Sequence, residues 1–185
     1  MQSSAAPPLF VEGISLVKTV LCKFCLQSGI LCKKCESKLK SGEITQTDLK
    51  VARILLSLEK RFPSLQDVYF HKAVEANGAL AIIVGQGQVS RLLGYGGKII
   101  KTLGEQTGKN IRVIEYGTND RKFLEDLFAP LSIVTINTIW LPDGSTETRV
   151  ILKKPRRSSL RINVEALKEI AQKVKDMILR VEFTD

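Results

Sequence analysis

The amino-acid sequence predicts an α+β fold: two tandem copies of a helix–strand–strand–helix–helix–strand unit behind a small four-cysteine element. Three observations carry this reading. All four cysteines fall between positions 22 and 35. Helical and extended hydrophobic patterns recur twice in one order. The stretch "RLLGYGGKIIKTL" at 91–103 sets glycines inside an otherwise amphipathic helix. The expected boundaries are a tail at 1–17, the cysteine element at 18–44, a first unit at 45–117 and a second at 118–185.

The tail begins "MQSSAAPPLFVEG" and has neither a basic start nor a long apolar run, so it reads as a short flexible segment rather than a secretory signal. No run approaches the ~18 apolar residues of a membrane span. The expected setting is the cytoplasm.

"CKFCLQSGILCKKC" holds Cys22, Cys25, Cys32 and Cys35 as two C-x-x-C pairs. Each pair is expected to form a tight turn offering two thiolates, and two turns complete a tetrahedral shell. Gly29 suits the reversal between them, and Lys23, Lys33 and Lys34 offset the negative charge of a four-thiolate centre. One structural zinc ion is the expected occupant, folding a segment too short to bury a core of its own. A pair of disulfides and an iron–sulfur cluster are the other readings. Four protein ligands leave no open position, so catalytic zinc is not expected.

In the first unit a helix begins near Thr47, with Val51, Ile54, Leu55, Leu58 and Phe62 on one face, and Pro63 ends it. "DVYFHKAVEANGALAIIV" reads as a hairpin about Asn77-Gly78, its second strand apolar throughout and therefore buried. A short helix in "GQVSRLL", the glycine cluster, a helix from Lys98 to about Gln106 closed by Gly108, and the strand "NIRVIEY" follow. The second unit repeats the order at offsets of about 65 to 67 residues. "DRKFLEDLF" is a helix with Phe123, Leu124, Leu127 and Phe128 inward, and strands flank the Pro142-Asp143-Gly144 turn. Asn163 caps a helix with Val164, Leu167, Ile170 and Val174 inward, and "ILRVEF" is the last strand.

The net charge is +9. Residues 1–46 hold six lysines against three acids, 47–118 ten cations against six, and 119–185 twelve against ten. This balance favours a polyanion, nucleic acid first and an acidic membrane second. Gly94 and Gly97 let the chain turn sharply and leave its amides uncovered, and the helix behind them aims its N-terminus into the same space. Lys98 and Lys101 open that helix and Arg91 precedes the loop, so a phosphate backbone has a place to lie. Leu92, Leu93, Ile99 and Ile100 are expected to anchor the helices and wall a groove for unstacked bases. Tyr95 is available to stack on a base.

With its flanking helices and the preceding hairpin, "LLGYGGKIIKTL" resembles the G-x-x-G loop of KH domains, in the prokaryotic type II arrangement. A four-cysteine element followed by two such units is similar to archaeal NusA-like transcription elongation or termination factors, and "IWLPDG" is in keeping with their second KH unit. The resemblance covers roughly residues 18 to 185. It implies a non-enzymatic protein holding single-stranded RNA on Gly94, Tyr95, Gly96 and Gly97, with Arg91, Lys98 and Lys101 beside them, in contact with RNA polymerase. The second unit departs from the pattern: its loop falls at Ile162-Asn163-Val164-Glu165, without glycine. Auxiliary RNA contacts are expected from Lys153, Lys154, Arg156, Arg157 and Arg161.

His71 is the sole histidine and the acids form no metal or acid–base pair, so catalysis has no candidate and no small-molecule substrate is expected. Trp140 is expected to pack in or beside the second sheet. A ribosome-associated RNA-binding protein and a zinc-dependent protein scaffold with vestigial KH units are the alternative readings.

Overall fold

The computed structural model describes residues 17–154 and 162–185. Among these the chain is a mixed α+β structure with seven α-helices and two sheets, carrying its four cysteines near the N-terminal end.

Helices α1 (Lys23–Ser28) and α2 (Lys33–Lys40) form the cysteine element, with Gly29 between them in the left-handed conformation expected for a reversal. Helix α3 (Gln46–Glu59) starts in a capping box: Thr45 Oγ1 accepts from Asp48 N–H, and Thr45 N–H donates to Asp48 Oδ2. The other Asp48 oxygen accepts from Ala73 N–H, so one buried carboxylate ties α3 to the sheet. Pro63 opens a 3-10 turn, Pro63–Asp67, which the sequence pattern did not suggest.

Strands β2 (Tyr69–Ala76) and β3 (Ala79–Val84) make the expected antiparallel hairpin, and β4 (Asn110–Glu115) joins β3 in parallel. An unforeseen strand β1 (Lys18–Thr19) pairs in parallel with β2 and extends the sheet to four strands. Between β3 and β4 lie α4 (Val89–Leu93) and α5 (Lys98–Thr107). The second half runs α6 (Asp120–Phe128), β5 (Ile133–Trp140), β6 (Thr146–Lys153), α7 (Val164–Lys175) and β7 (Leu179–Thr184). Its sheet repeats the first: β5 antiparallel to β6, β6 parallel to β7. The further helix expected between β6 and α7 falls on 155–161, outside the described residues.

The layering explains the unbroken apolar run of β3, since a strand covered on both faces shows no alternation. Leu80, Ile82 and Val84 point into a first core with Leu55, Leu92, Ile99 and Leu103. Ala79, Ala81 and Ile83 point the other way, into a second core with Phe123, Leu127 and Phe128 of α6 and Leu167 and Ile170 of α7. That core is closed beyond by Val150 and Leu152 of β6. Helices α6 and α7 therefore lie between the two sheets, and the second unit's core is built partly on the first unit's strands. The outer face of the second sheet is polar, with Arg149 bonded to Glu182 across β6 and β7.

The cysteine element packs into the first core: Cys25, Leu26 and Cys35 belong to it with Leu49 and Leu55 of α3, and Arg53 donates to Gly29 O at 3.0 Å. One expectation is corrected here: Trp140 does not pack with its sheet. It lies at the open end of β5, beyond the reach of α6 and α7, and is 76% exposed.

Candidate functional site

The four thiols are brought together. Their sulfurs all lie within 4.8 Å of one another, with Cys22 and Cys25 3.1 Å apart and Cys22 and Cys32 3.9 Å apart. A tetrahedral tetrathiolate zinc site with ~2.3 Å bonds has sulfur–sulfur edges of roughly 3.8 Å, so the cage has the right size. The local structure differs from the expected turns: Cys22 and Cys32 are the N-caps of α1 and α2, and Cys25 and Cys35 lie in their first turns. Both pairs thus face helix N-termini, where oriented amides favour thiolate.

Protonation reflects the crowding. Cys32 N–H donates to Cys25 Sγ at 3.1 Å and works to lower that thiol, but the Cys22 thiol and burial outweigh it and push Cys25 up to about 12. Cys35 N–H, with the Cys25 thiol, draws Cys32 down to about 7. One thiolate is welcome in the cluster and the next is opposed, so a divalent cation is what lets all four deprotonate together. All four are free thiols, and soft sulfur donors in a closed set of four fit zinc. Cys22, Cys25, Cys32 and Cys35 would hold it, and the ion would cross-link two helices too short to be stable alone.

The glycine cluster forms the second candidate site. Gly94 leaves α4 in an extended conformation, φ −59° and ψ 179°. Tyr95, Gly96 and Gly97 then take φ values of 54°, 64° and 75°, three consecutive left-handed residues leading into α5. Glycine relieves this at 96 and 97, whereas Tyr95 bears a cost of roughly 1–2 kcal/mol. A Cβ placed on Gly96 or Gly97 meets nothing within 4 Å, so the turn's outer surface is open. The expectation of uncovered amides needs correction: Gly97 N–H donates to Gly94 O at 3.1 Å, and Lys98 N–H to Tyr95 O. A chain this tightly left-handed closes short-range bonds on itself, and its open surface, with the positive end of α5, is what remains available.

Lys98 and Lys101 are exposed on the first turn of α5, Lys101 only loosely opposed by Glu105 at 4.0 Å. Arg91 is committed to Asp67 at 2.8 Å and is not a free cation. Leu92 and Ile99 are wholly buried anchors, so any groove wall falls to the half-exposed Leu93 and to Ile100. Tyr95 is 49% exposed and leans on Phe62, ring centroids 5.2 Å apart, with the Arg61 guanidinium 5.6 Å from the Phe62 ring. Arg61 and Phe62 were missed in the sequence. "RF" before a helix-ending proline is a weak signal, and their place beside a loop some thirty residues on is tertiary.

Lys153 ends β6, Lys154 pairs with Asp185 at 2.5 Å, and Arg156, Arg157 and Arg161 lie outside the described residues. In the second unit Asn163 accepts from Ala166 N–H as the expected cap, and its side-chain amide donates to Asn77 O at 2.9 Å. The corner matching the glycine turn is thus bonded to the first unit's hairpin.

Fold and site define a basic α+β chain with a four-thiol centre and an open glycine turn at a helix head. Among the described residues no helix is long and apolar enough to cross a membrane. The chain is 32% identical over 80 residues to a Methanocaldococcus jannaschii protein named probable transcription termination protein NusA, covering 43% of this chain and 42% of that one. It is 30% identical over 54 residues to a Methanococcus vannielii protein of the same name, covering 29% and 31%. The matched stretches span less than half the length of these relatives. No family model matches the chain. A crystal structure of APE1850 aligns with 76% of this chain and all of its own at 23% identity and a TM-score of 0.47.

Proposed function

We propose that this protein binds single-stranded RNA as a non-enzymatic, NusA-like transcription factor, with two type II KH units at about 45–117 and 118–185 behind a zinc-stabilised element at 18–44. The observation that carries the reading is the left-handed turn Tyr95–Gly96–Gly97, open on its outer side at the head of α5. The names of the two relatives support the transcription-termination setting; RNA polymerase as the partner and the cytoplasm as the place belong to the proposal.

In this reading two successive phosphates rest against Gly96 and Gly97, where a side chain would block them. Lys98 and Lys101 supply charge, and the N-terminus of α5 adds its dipole. Leu93 and Ile100 face the bases, and Tyr95, propped by Phe62, offers a ring edge. Arg61 stands behind as a third cation, while Arg91 fixes the loop through Asp67. Among its described residues the second unit has no such turn, and it braces the first through Asn163 and through Lys173, which donates to Glu75 O.

A titration of fluorescein-labelled oligouridylate at several salt concentrations tests this. Three cations on the strand give a log–log salt slope of about −2. Binding that is absent, or indifferent to salt, overturns the reading.

A further inference from the structure

One end of the first sheet carries a cluster of three rings that the glycine turn does not use. Tyr69 and His71 of β2 lie with ring centroids 4.5 Å apart and their planes tilted by 50°, and His71 stacks on Tyr116, just past β4, at 4.0 Å and 9° between planes. Strands β2 and β3 slip register between Phe70 and Lys72. Phe70 goes into the first core, while Tyr69 and His71, at the alternate positions, are half-buried. Gln88 holds this end of β2, accepting from Tyr69 N–H at 2.7 Å and donating to Asp67 O.

Tyr116 is still 55% exposed although His71 lies on one face of its ring. It also borders a cavity of about 290 Å³ with Lys72, Phe123 and Lys175. Lys175 is engaged, donating to Thr118 O and lying 3.4 Å from Asp120. Lys72 has no ion-pair partner among the described residues, and neither does Lys18, the register partner of Tyr69. The acid at the cavity, Glu115, accepts from Gly87 N–H. Burial lowers the pKa of His71, so the ring behind Tyr116 is neutral at pH 7 and the pair is uncharged beside Lys72.

We propose that the exposed part of the Tyr116 ring is a stacking site for an unpaired nucleobase, with Lys72 taking a flanking phosphate. A flat ring propped from behind by His71 and bordered by an unpaired cation is an arrangement that holds single strands without sequence preference. The site deepens the RNA-binding reading and rests on it. One strand would run from the glycine turn towards the junction of the units.

The test compares Tyr116→Ala and Tyr116→Phe with the loop variant Gly94→Asp/Gly97→Asp. The probes are two fluorescein-labelled oligouridylates, one of about four nucleotides, the length a KH groove holds, and one roughly three times longer. Tyr116→Ala should weaken the longer strand about tenfold, leave the short one unchanged, and be rescued by Tyr116→Phe. Wild-type affinity of folded Tyr116→Ala for the longer strand overturns the stacking site while leaving the loop untouched. Equal loss on both strands also overturns it, because the effect is then transmitted through the fold. If the loop variant binds both strands like wild type, the RNA-binding reading through the turn falls, and the Tyr116 variants still decide the stack by themselves. A longer strand with 2-aminopurine at successive positions gives a direct readout: quenching at one position, lost in Tyr116→Ala, supports stacking, and uniform fluorescence refutes it.

Discussion

Replacing Gly94 and Gly97 by aspartate separates binding from folding, because the fold needs glycine at only one of the two. Gly94 has φ −59°, open to any residue, and a Cβ there meets Ser90 O at 3.4 Å and Arg91 O at 3.6 Å, ordinary contacts. Gly97 has φ 75°, where an L side chain costs roughly 1–2 kcal/mol, with aspartate among the better tolerated. The pair together should therefore lower stability by about 1–2 kcal/mol, a fall in Tm of roughly 2–8 °C for a chain of this size, well inside the usual margin of about 5–15 kcal/mol. Binding should fare worse. Two carboxylates would project into the space proposed for phosphate, cancelling the charge of Lys98 and Lys101. A loss of at least about a hundredfold in oligouridylate affinity is expected, since placing like charges face to face costs several kcal/mol. Fluorescence anisotropy with thermal unfolding of the same samples reads both effects. A folded double variant that binds as tightly as wild type refutes the argument.

Other expectations follow from the same geometry. A strong chelator should release one zinc per chain and lower Tm, because Cys25 and Cys35 share a core with α3; metal content by mass spectrometry beside calorimetry checks this. Asp48→Ala removes the reciprocal half of the α3 capping box, freeing Thr45 N–H, and leaves the buried Ala73 N–H without an acceptor, so a loss of about 2–4 kcal/mol is expected in urea unfolding. His71 is held neutral by burial and its folded pKa lies below the unfolded value. The unfolded chain then binds more protons, so stability should fall as pH drops through about 6.5. Native carboxylates such as Glu75, lowered first by Lys109, titrate further down, while Cys32, drawn down to about 7, shares the window. His71→Phe should make the fall in Tm between pH 8 and 5.5 shallower and leave the part due to Cys32; an unchanged slope refutes the His71 contribution.

Local pattern determined a good deal. Helical periodicity placed α3, α6 and α7, capping residues placed Asn163, and the apolar run in β3 announced a buried strand. Two C-x-x-C pairs sufficed to name the thiol cluster, since four like ligands at short spacing have few ways to be used. These features depend on neighbours within a turn or two of chain, and that is the range over which sequence constrains conformation directly. Only the tertiary structure decided that β3 takes its second cover from the other unit's helices, that Arg91 is tied to Asp67, that Trp140 stands clear of its sheet, and that Tyr69, His71 and Tyr116 share one cluster. Each of those pairs residues far apart in the chain, and which distant surfaces meet depends on how whole layers pack, a quantity that no short stretch of residues contains.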